Sequence, residues 1–153
     1  MMELKRVLLV EDSPNDAELT RTALAESGLA HEVVWVRDGQ EALDYLLRQG
    51  AYLDRPGACP LVVLLDLKMP KVDGLQVLRR IKDDPELKAL PVVMLTSSNE
   101  ESDLARSYGL GVNAYVVKPV DFPEFMEAIK ELGLFWALVN QPPPASLLKG
   151  GRP

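Results

Sequence analysis

The stretch LVVLLDLKMPKVDG, residues 61–74, joins an apolar run to an abrupt charge. Residues 61–65 are all apolar, and Asp66 follows them directly. A run that is apolar at every position is typical of a strand buried on both faces of a parallel sheet, because water reaches neither face. Asp66 therefore ends a predicted buried strand, and it is either an ordinary strand-end charge or the reactive group of a site.

Apolar runs of this kind recur along the chain and alternate with helical patterns. The predicted strands cover 6–10, 31–36, 61–66, 91–95 and 114–118. Apolar residues at helical spacing, with caps and turn residues at their ends, predict helices over 15–28, 40–50, 72–84, 99–111 and 121–140. Strands that alternate with helices predict a doubly wound α/β domain.

The composition indicates one folded domain of an acidic globular protein. The 153 residues are 47% hydrophobic and 26% charged, with a net charge of -6. The basic residues are scattered among acids, so we expect no nucleic-acid partner. The single cysteine, Cys59, excludes an intrachain disulfide, and the short apolar run near the N-terminus predicts no signal peptide and no membrane span. We expect a cytoplasmic protein with a folded domain over 1–140 and an extended, mobile Pro/Gly-rich tail over 141–153.

Polar residues follow the predicted strands at their carboxyl ends. In an open parallel sheet this edge holds the ligand site, so we expect these side chains to converge. Carboxylates that lie close together repel one another and need a cation among them. Mg²⁺ suits such an all-oxygen set, whereas Zn²⁺ prefers histidine or cysteine. The residues are Glu11, Asp12, Asp66, Thr96 and Lys118.

These residue types suit phosphoryl chemistry. The Asp66 carboxylate is a candidate nucleophile, because a carboxylate that attacks phosphorus forms an aspartyl-phosphate. The Thr96 hydroxyl and the Lys118 ammonium are candidate donors to the oxygens of the phosphoryl group.

Four motifs together resemble the response-regulator receiver domains of two-component signalling, over residues 6–139. They are VEDS at 10–13, DLKMPKVDG at 66–74, LTSS at 95–98 and VVKP at 116–119. The resemblance implies a flavodoxin-like sheet of five parallel strands in the order 2-1-3-4-5, with five helices on both faces. It also implies that Asp66 is the phosphoacceptor. Mg²⁺ would be bound by Asp12, Asp66 and the backbone carbonyl of Lys68, and by Glu11 through water.

The same resemblance assigns a switch and a subgroup. Thr96 and Tyr115 resemble the family's switching pair, and the Lys118–Pro119 peptide bond is expected to be cis. The segments DRPGACP at 54–60, SNEES at 98–102 and LGLFW at 132–136 are most similar to single-domain regulators that accept phosphate from phytochrome-type histidine kinases. The last helix of that subgroup takes part in dimerisation. The excess apolar surface around Phe135 and Trp136 fits either a homodimer or a tail that folds back to cover it.

We therefore expect a phosphoacceptor switch, whose only chemistry is self-phosphorylation and self-dephosphorylation. An aspartate-dependent phosphatase is one alternative, but it commonly needs a second acid two residues after the nucleophile, where this chain has Lys68. A flavodoxin-like cofactor protein is another, but the acids that follow the first strand would repel an unmetallated phosphate. A receiver-like binding module that acts without phosphorylation is the third.

Overall fold

The computed structural model describes residues 5–26, 31–57, 59–67, 69, 72–96 and 109–131. The strands are β1 (Lys5–Val10), β2 (His31–Val36), β3 (Val62–Asp66), β4 (Val92–Thr96) and β5 (Ala114–Val117). The described helices are α1 (Pro14–Glu26), α2 (Gly39–Leu47), α3 (Gly74–Asp83) and α4 (Phe122–Glu131), and a short 3-10 turn covers Gly50–Tyr52. Most of the helix predicted over 99–111, residues 132–140 of the last one, and the tail over 141–153 lie outside the described residues.

The five strands form one parallel sheet in the order β2-β1-β3-β4-β5. This confirms the predicted fold class and strand order. Every residue of β3 and of β4 is buried, as predicted for strands that are covered on both faces.

Alternate residues of the strands pack into two separate cores, one on each face of the sheet. One core joins Leu8, Val63 and Met94 of the sheet to Leu43 and Ile81 of α2 and α3. The other core, on the opposite face, joins Val7, Leu9, Leu64, Leu95, Leu24 of α1 and Phe125 of α4. Helices therefore cover both faces of the sheet. The polar side chains lie instead at the edge formed by the carboxyl ends of the strands.

The helix starts follow from local capping chemistry. The Ser13 hydroxyl accepts a hydrogen bond from the Asp16 amide at 3.2 Å, and the Asp38 carboxylate accepts one from the Glu41 amide at 2.8 Å. These contacts confirm the predicted starts of α1 and α2. At α3, Asp73 and Gln76 form a reciprocal capping box, which the sequence interpretation missed.

The connector between α2 and β3, residues 48–61, is held by arginine side chains. Arg48 donates to the carbonyl oxygens of Arg55 and Gly57. The Arg55 guanidinium stacks 4.1 Å from the Tyr45 ring centre, and its Nε donates to the Tyr45 carbonyl at 2.9 Å. These contacts fix the connector to the end of α2. Within the described ranges, no helix is both long enough and apolar enough to cross a membrane.

Candidate functional site

The strand register brings the predicted residues to one edge of the sheet. Val10 pairs with Leu65, so the residues that follow β1 lie beside Asp66 at the end of β3. Thr96 ends β4 opposite Val117, and its carbonyl accepts a hydrogen bond from the Lys118 amide at 2.6 Å. Four neighbouring strands therefore deliver the acids, the hydroxyl and the ammonium to a single rim.

Three carboxylates form the centre of this rim. Oxygen atoms of Glu11, Asp12 and Asp66 lie within 4.8 Å of one another. Glu11 and Asp66 are buried, whereas Asp12 is exposed. Glu11 is held in place because its carboxylate accepts from the Ser13 amide at 3.2 Å and its carbonyl accepts from the Trp35 indole at 2.8 Å.

An all-oxygen donor set of this kind fits a hard divalent cation such as Mg²⁺. A cation held among these acids would offset their mutual repulsion, and Asp12 is the solvent-exposed member of the three. The Lys68 carbonyl, the further predicted ligand, lies outside the described residues.

Lys118 lies against the acids. Its Nζ is 2.9 Å from Glu11 Oε1, 2.9 Å from Asp16 Oδ2 and 3.5 Å from Asp66 Oδ1. Burial by itself lowers the pKa of Lys118, but the hydrogen bonds to Asp16 and Glu11 and the charge of Asp66 outweigh burial and raise this pKa above its usual range. Lys118 is therefore a permanent cation at physiological pH.

Whereas the surroundings of Lys118 favour its charged form, those of Asp66 favour its neutral form. Burial raises its pKa, repulsion by Glu11 raises it further, and the nearby Lys118 only partly opposes them, so the pKa of Asp66 rises to about 8. A carboxylate with this pKa is costly to keep ionised without a cation. The same property favours a site that binds a metal or exchanges a charged group.

Asp16 was not among the predicted site residues. It is the third residue of α1, and its carboxylate is as close to Lys118 as that of Glu11. In the sequence, an acid in the first turn of a helix is already explained by the helix dipole, so nothing local indicates the contact with Lys118.

Gly74, the first residue of α3, lies against the backbone of Asp66 and Leu67. Its amide donates to the Leu67 carbonyl at 3.0 Å. A Cβ atom at this position would lie 2.3 Å from the Asp66 carbonyl oxygen. Only glycine therefore allows α3 to begin this close to the end of β3.

The proposed switch residues lie on neighbouring strands. Thr96 is buried, and Tyr115 is half-buried one strand away, where it packs against the core formed with α2 and α3.

The peptide bond between Lys118 and Pro119 is cis, as the resemblance implied. Phe135 and Trp136, the predicted dimer residues, lie outside the described residues, so their role stays a prediction.

Fold and site together define a receiver-type α/β domain. The family model described as "Response regulator receiver domain" matches residues 7–130. The chain therefore belongs to the response regulator receiver family of two-component systems.

Several relatives of the chain are named as response regulators, and some of the solved structures are named as phytochrome or bacteriophytochrome response regulators. Response regulator Rcp1 of Synechocystis sp. (strain ATCC 27184 / PCC 6803 / Kazusa) is 42% identical over 132 residues, which cover 86% of this chain and 88% of that relative. The structure of the bacteriophytochrome response regulator AtBRR is 63% identical, with a TM-score of 0.83, and covers 92% of this chain and 100% of its own. The Mn²⁺-bound form of Rcp1 is 41% identical, with a TM-score of 0.73, and covers 92% of this chain and 99% of its own.

Proposed function

We propose that this chain is a phosphorylation switch that accepts a phosphoryl group on Asp66 from a histidine kinase, in the presence of Mg²⁺. The observation that carries the proposal is the buried Asp66 carboxylate, held at the end of a rigid strand beside two further acids and 3.5 Å from a permanent ammonium. The output is a change in binding to other proteins, and the chain acts as a switch and not as an enzyme. The solved relatives that are named as phytochrome or bacteriophytochrome response regulators support a phytochrome-type kinase as the donor.

The transfer step uses groups that are already in place. One Asp66 oxygen forms a bond to phosphorus, while the bond between phosphorus and the imidazole nitrogen of the kinase breaks and its electron pair stays on that nitrogen. The Lys118 ammonium and the Thr96 hydroxyl stabilise charge on the transferred phosphoryl oxygens. Glu11, Asp12 and Asp66 would hold Mg²⁺, which supplies positive charge for the same oxygens when it is bound.

A small phosphodonor tests the proposal without a kinase. Incubation with acetyl phosphate and Mg²⁺ is expected to raise the intact mass of the protein by one phosphoryl group, and omission of Mg²⁺ or addition of EDTA is expected to prevent the gain. Rapid release of free phosphate over many turnovers, with no labelled protein, would instead indicate the phosphatase alternative. No labelling at all would favour the binding module that acts without phosphorylation.

The face of α1 beside the site is a candidate surface for the kinase. Leu19 is 54% exposed, and it lines a cavity of about 310 Å³ together with Asp16, Thr20, Lys118 and Pro119. An exposed leucine next to the phosphoryl-transfer residues suits a partner that must bring its phosphohistidine to Asp66.

Leu19→Asp is therefore expected to slow transfer from a phytochrome-type kinase by at least about tenfold, which corresponds to about 1.4 kcal/mol. Labelling by acetyl phosphate is expected to stay at the wild-type rate, because the variant leaves the reacting groups in place. Leu53→Asp is the matched control, since Leu53 is also exposed but lies on the connector after α2. Equal losses in the two variants, or a Leu19→Asp variant that the kinase phosphorylates normally, would contradict this surface.

A further inference from the structure

Asp16 gives Lys118 a carboxylate partner outside the acidic cluster. Its Oδ2 lies 2.9 Å from the Lys118 Nζ, whereas the nearest Asp66 oxygen lies at 3.5 Å. The Asp16 side chain is 40% exposed and that of Glu11 is fully buried. Of the two carboxylates that contact Lys118 at 2.9 Å, that of Asp16 is therefore the more accessible to solvent.

The number of N–H donors on an ammonium limits what Lys118 can bind. It has three donors, and the contacts with Glu11 and Asp16 occupy two of them at short distances. The third faces Asp66 across a distance that is long for a hydrogen bond between charged groups. To approach a phosphoryl group on Asp66, the ammonium must lengthen one of its two short contacts.

The Glu11 contact is the harder one to lengthen. Glu11 is completely buried and is fixed by the Ser13 amide, so withdrawal of Lys118 would leave a buried carboxylate with less compensation. Asp16 is half-exposed, and water compensates its carboxylate when Lys118 leaves. The Asp16 contact therefore decides how freely Lys118 moves.

We propose that Asp16 is a positioning residue that restrains Lys118 at a distance from Asp66 and thereby slows phosphorylation. The inference rests on the proposed function and adds a residue that sets its rate. In the transfer, the bond between phosphorus and the leaving group breaks while the bond to Asp66 forms, and Lys118 must reach the phosphoryl oxygens during that step. The restraint by Asp16 opposes this approach, so loss of the Asp16 charge speeds the reaction.

The test compares Asp16→Asn with wild type in acetyl phosphate and Mg²⁺, with the labelled fraction followed by intact mass. The variant is expected to be labelled up to about fivefold faster, because a partly exposed ion pair is worth at most about 1 kcal/mol. Glu18→Gln is the matched control, since Glu18 is an exposed acid of the same helix and its substitution changes the net charge equally. It is expected to keep the wild-type rate.

A second measurement separates the ion pair from a general effect on α1. Denaturant unfolding of wild type, Asp16→Asn, Lys118→Met and the double variant gives the coupling between the two side chains. If they are coupled, Asp16→Asn is expected to lower the free energy of unfolding more in wild type than in the Lys118→Met background, where its partner is already absent. The inference would be overturned if Asp16→Asn were labelled no faster than wild type, or if Asp16 and Lys118 showed no coupling. In either case, normal labelling of wild type would leave the proposed function intact. No labelling of wild type would overturn both.

Discussion

Asp66→Asn is expected to abolish phosphorylation and, at the same time, to make the metal-free protein more stable than wild type. The asparagine amide has nearly the same shape as the carboxyl group but is not a nucleophile toward phosphorus. It also removes a charge that is buried beside Glu11. A loss of labelling combined with a gain in stability excludes misfolding as the cause of the loss.

The pH dependence of this stability gain follows from the pKa of Asp66. Burial, followed by repulsion from Glu11, raises this pKa from 3.8 to about 8 in the folded protein. The folded state therefore binds the Asp66 proton more tightly than the unfolded state does, so the contribution of Asp66 to wild-type stability falls as pH rises from about 4 to about 8 and levels off above that. Asparagine does not titrate, so the advantage of the variant is small near pH 4 and largest above pH 8.

Thermal unfolding in chelator-treated buffer at about pH 4 and about pH 9 measures this difference, since about 1 kcal/mol shifts the Tm of a chain of this size by about 2–4 °C. Asp54→Asn serves as the control, because Asp54 is an exposed aspartate on the connector after α2. Labelling that persists in Asp66→Asn would place the phosphoacceptor elsewhere. A variant less stable than wild type at the higher pH would show that the buried charge is compensated within the fold.

The sequence predicted those features that depend on local chemistry. A strand that is covered on both faces is apolar along its length. The apolar runs within residues 61–66 and 91–95 were therefore enough to predict β3 and β4. Caps such as Ser13 and Asp38 act within three residues of their own position. Because ligand sites in open parallel sheets lie at the carboxyl ends of the strands, the sequence also predicted that Asp66 and Lys118 lie at one rim.

The features that were missed depend on contacts between distant segments. Asp16 meets Lys118 across 102 positions of sequence, and its local role at the start of α1 already accounts for an acid there. In the same way, Arg48 and Arg55 lie in a stretch whose prolines and glycines predict only turns, yet their side chains fix the connector to α2. The partners of these long side chains are set by the tertiary fold. The spacing of residue types along the sequence does not predict such contacts.

Gly74→Ala is expected to be the most damaging small substitution near the site. The added methyl group would lie 2.3 Å from the Asp66 carbonyl oxygen and 2.8 Å from the Leu67 Cα, and both are backbone atoms that cannot rotate away. Either α3 moves outward or the end of β3 shifts. Overpacking of this kind costs about 1–3 kcal/mol of unfolding free energy.

The effect on chemistry is expected to exceed the effect on stability. A reacting group displaced by about 1 Å can lose about a hundredfold in rate, and a shift at the Asp66 backbone moves its carboxylate relative to Lys118 and Glu11. Gly109→Ala is the matched control, because a Cβ atom there meets no atom of the described residues within 4 Å. Denaturant unfolding and acetyl phosphate labelling of both variants test the argument. If Gly74→Ala retained wild-type stability and labelling, the close approach of α3 would not be what positions Asp66, and the carboxylate would owe its placement to β3 alone.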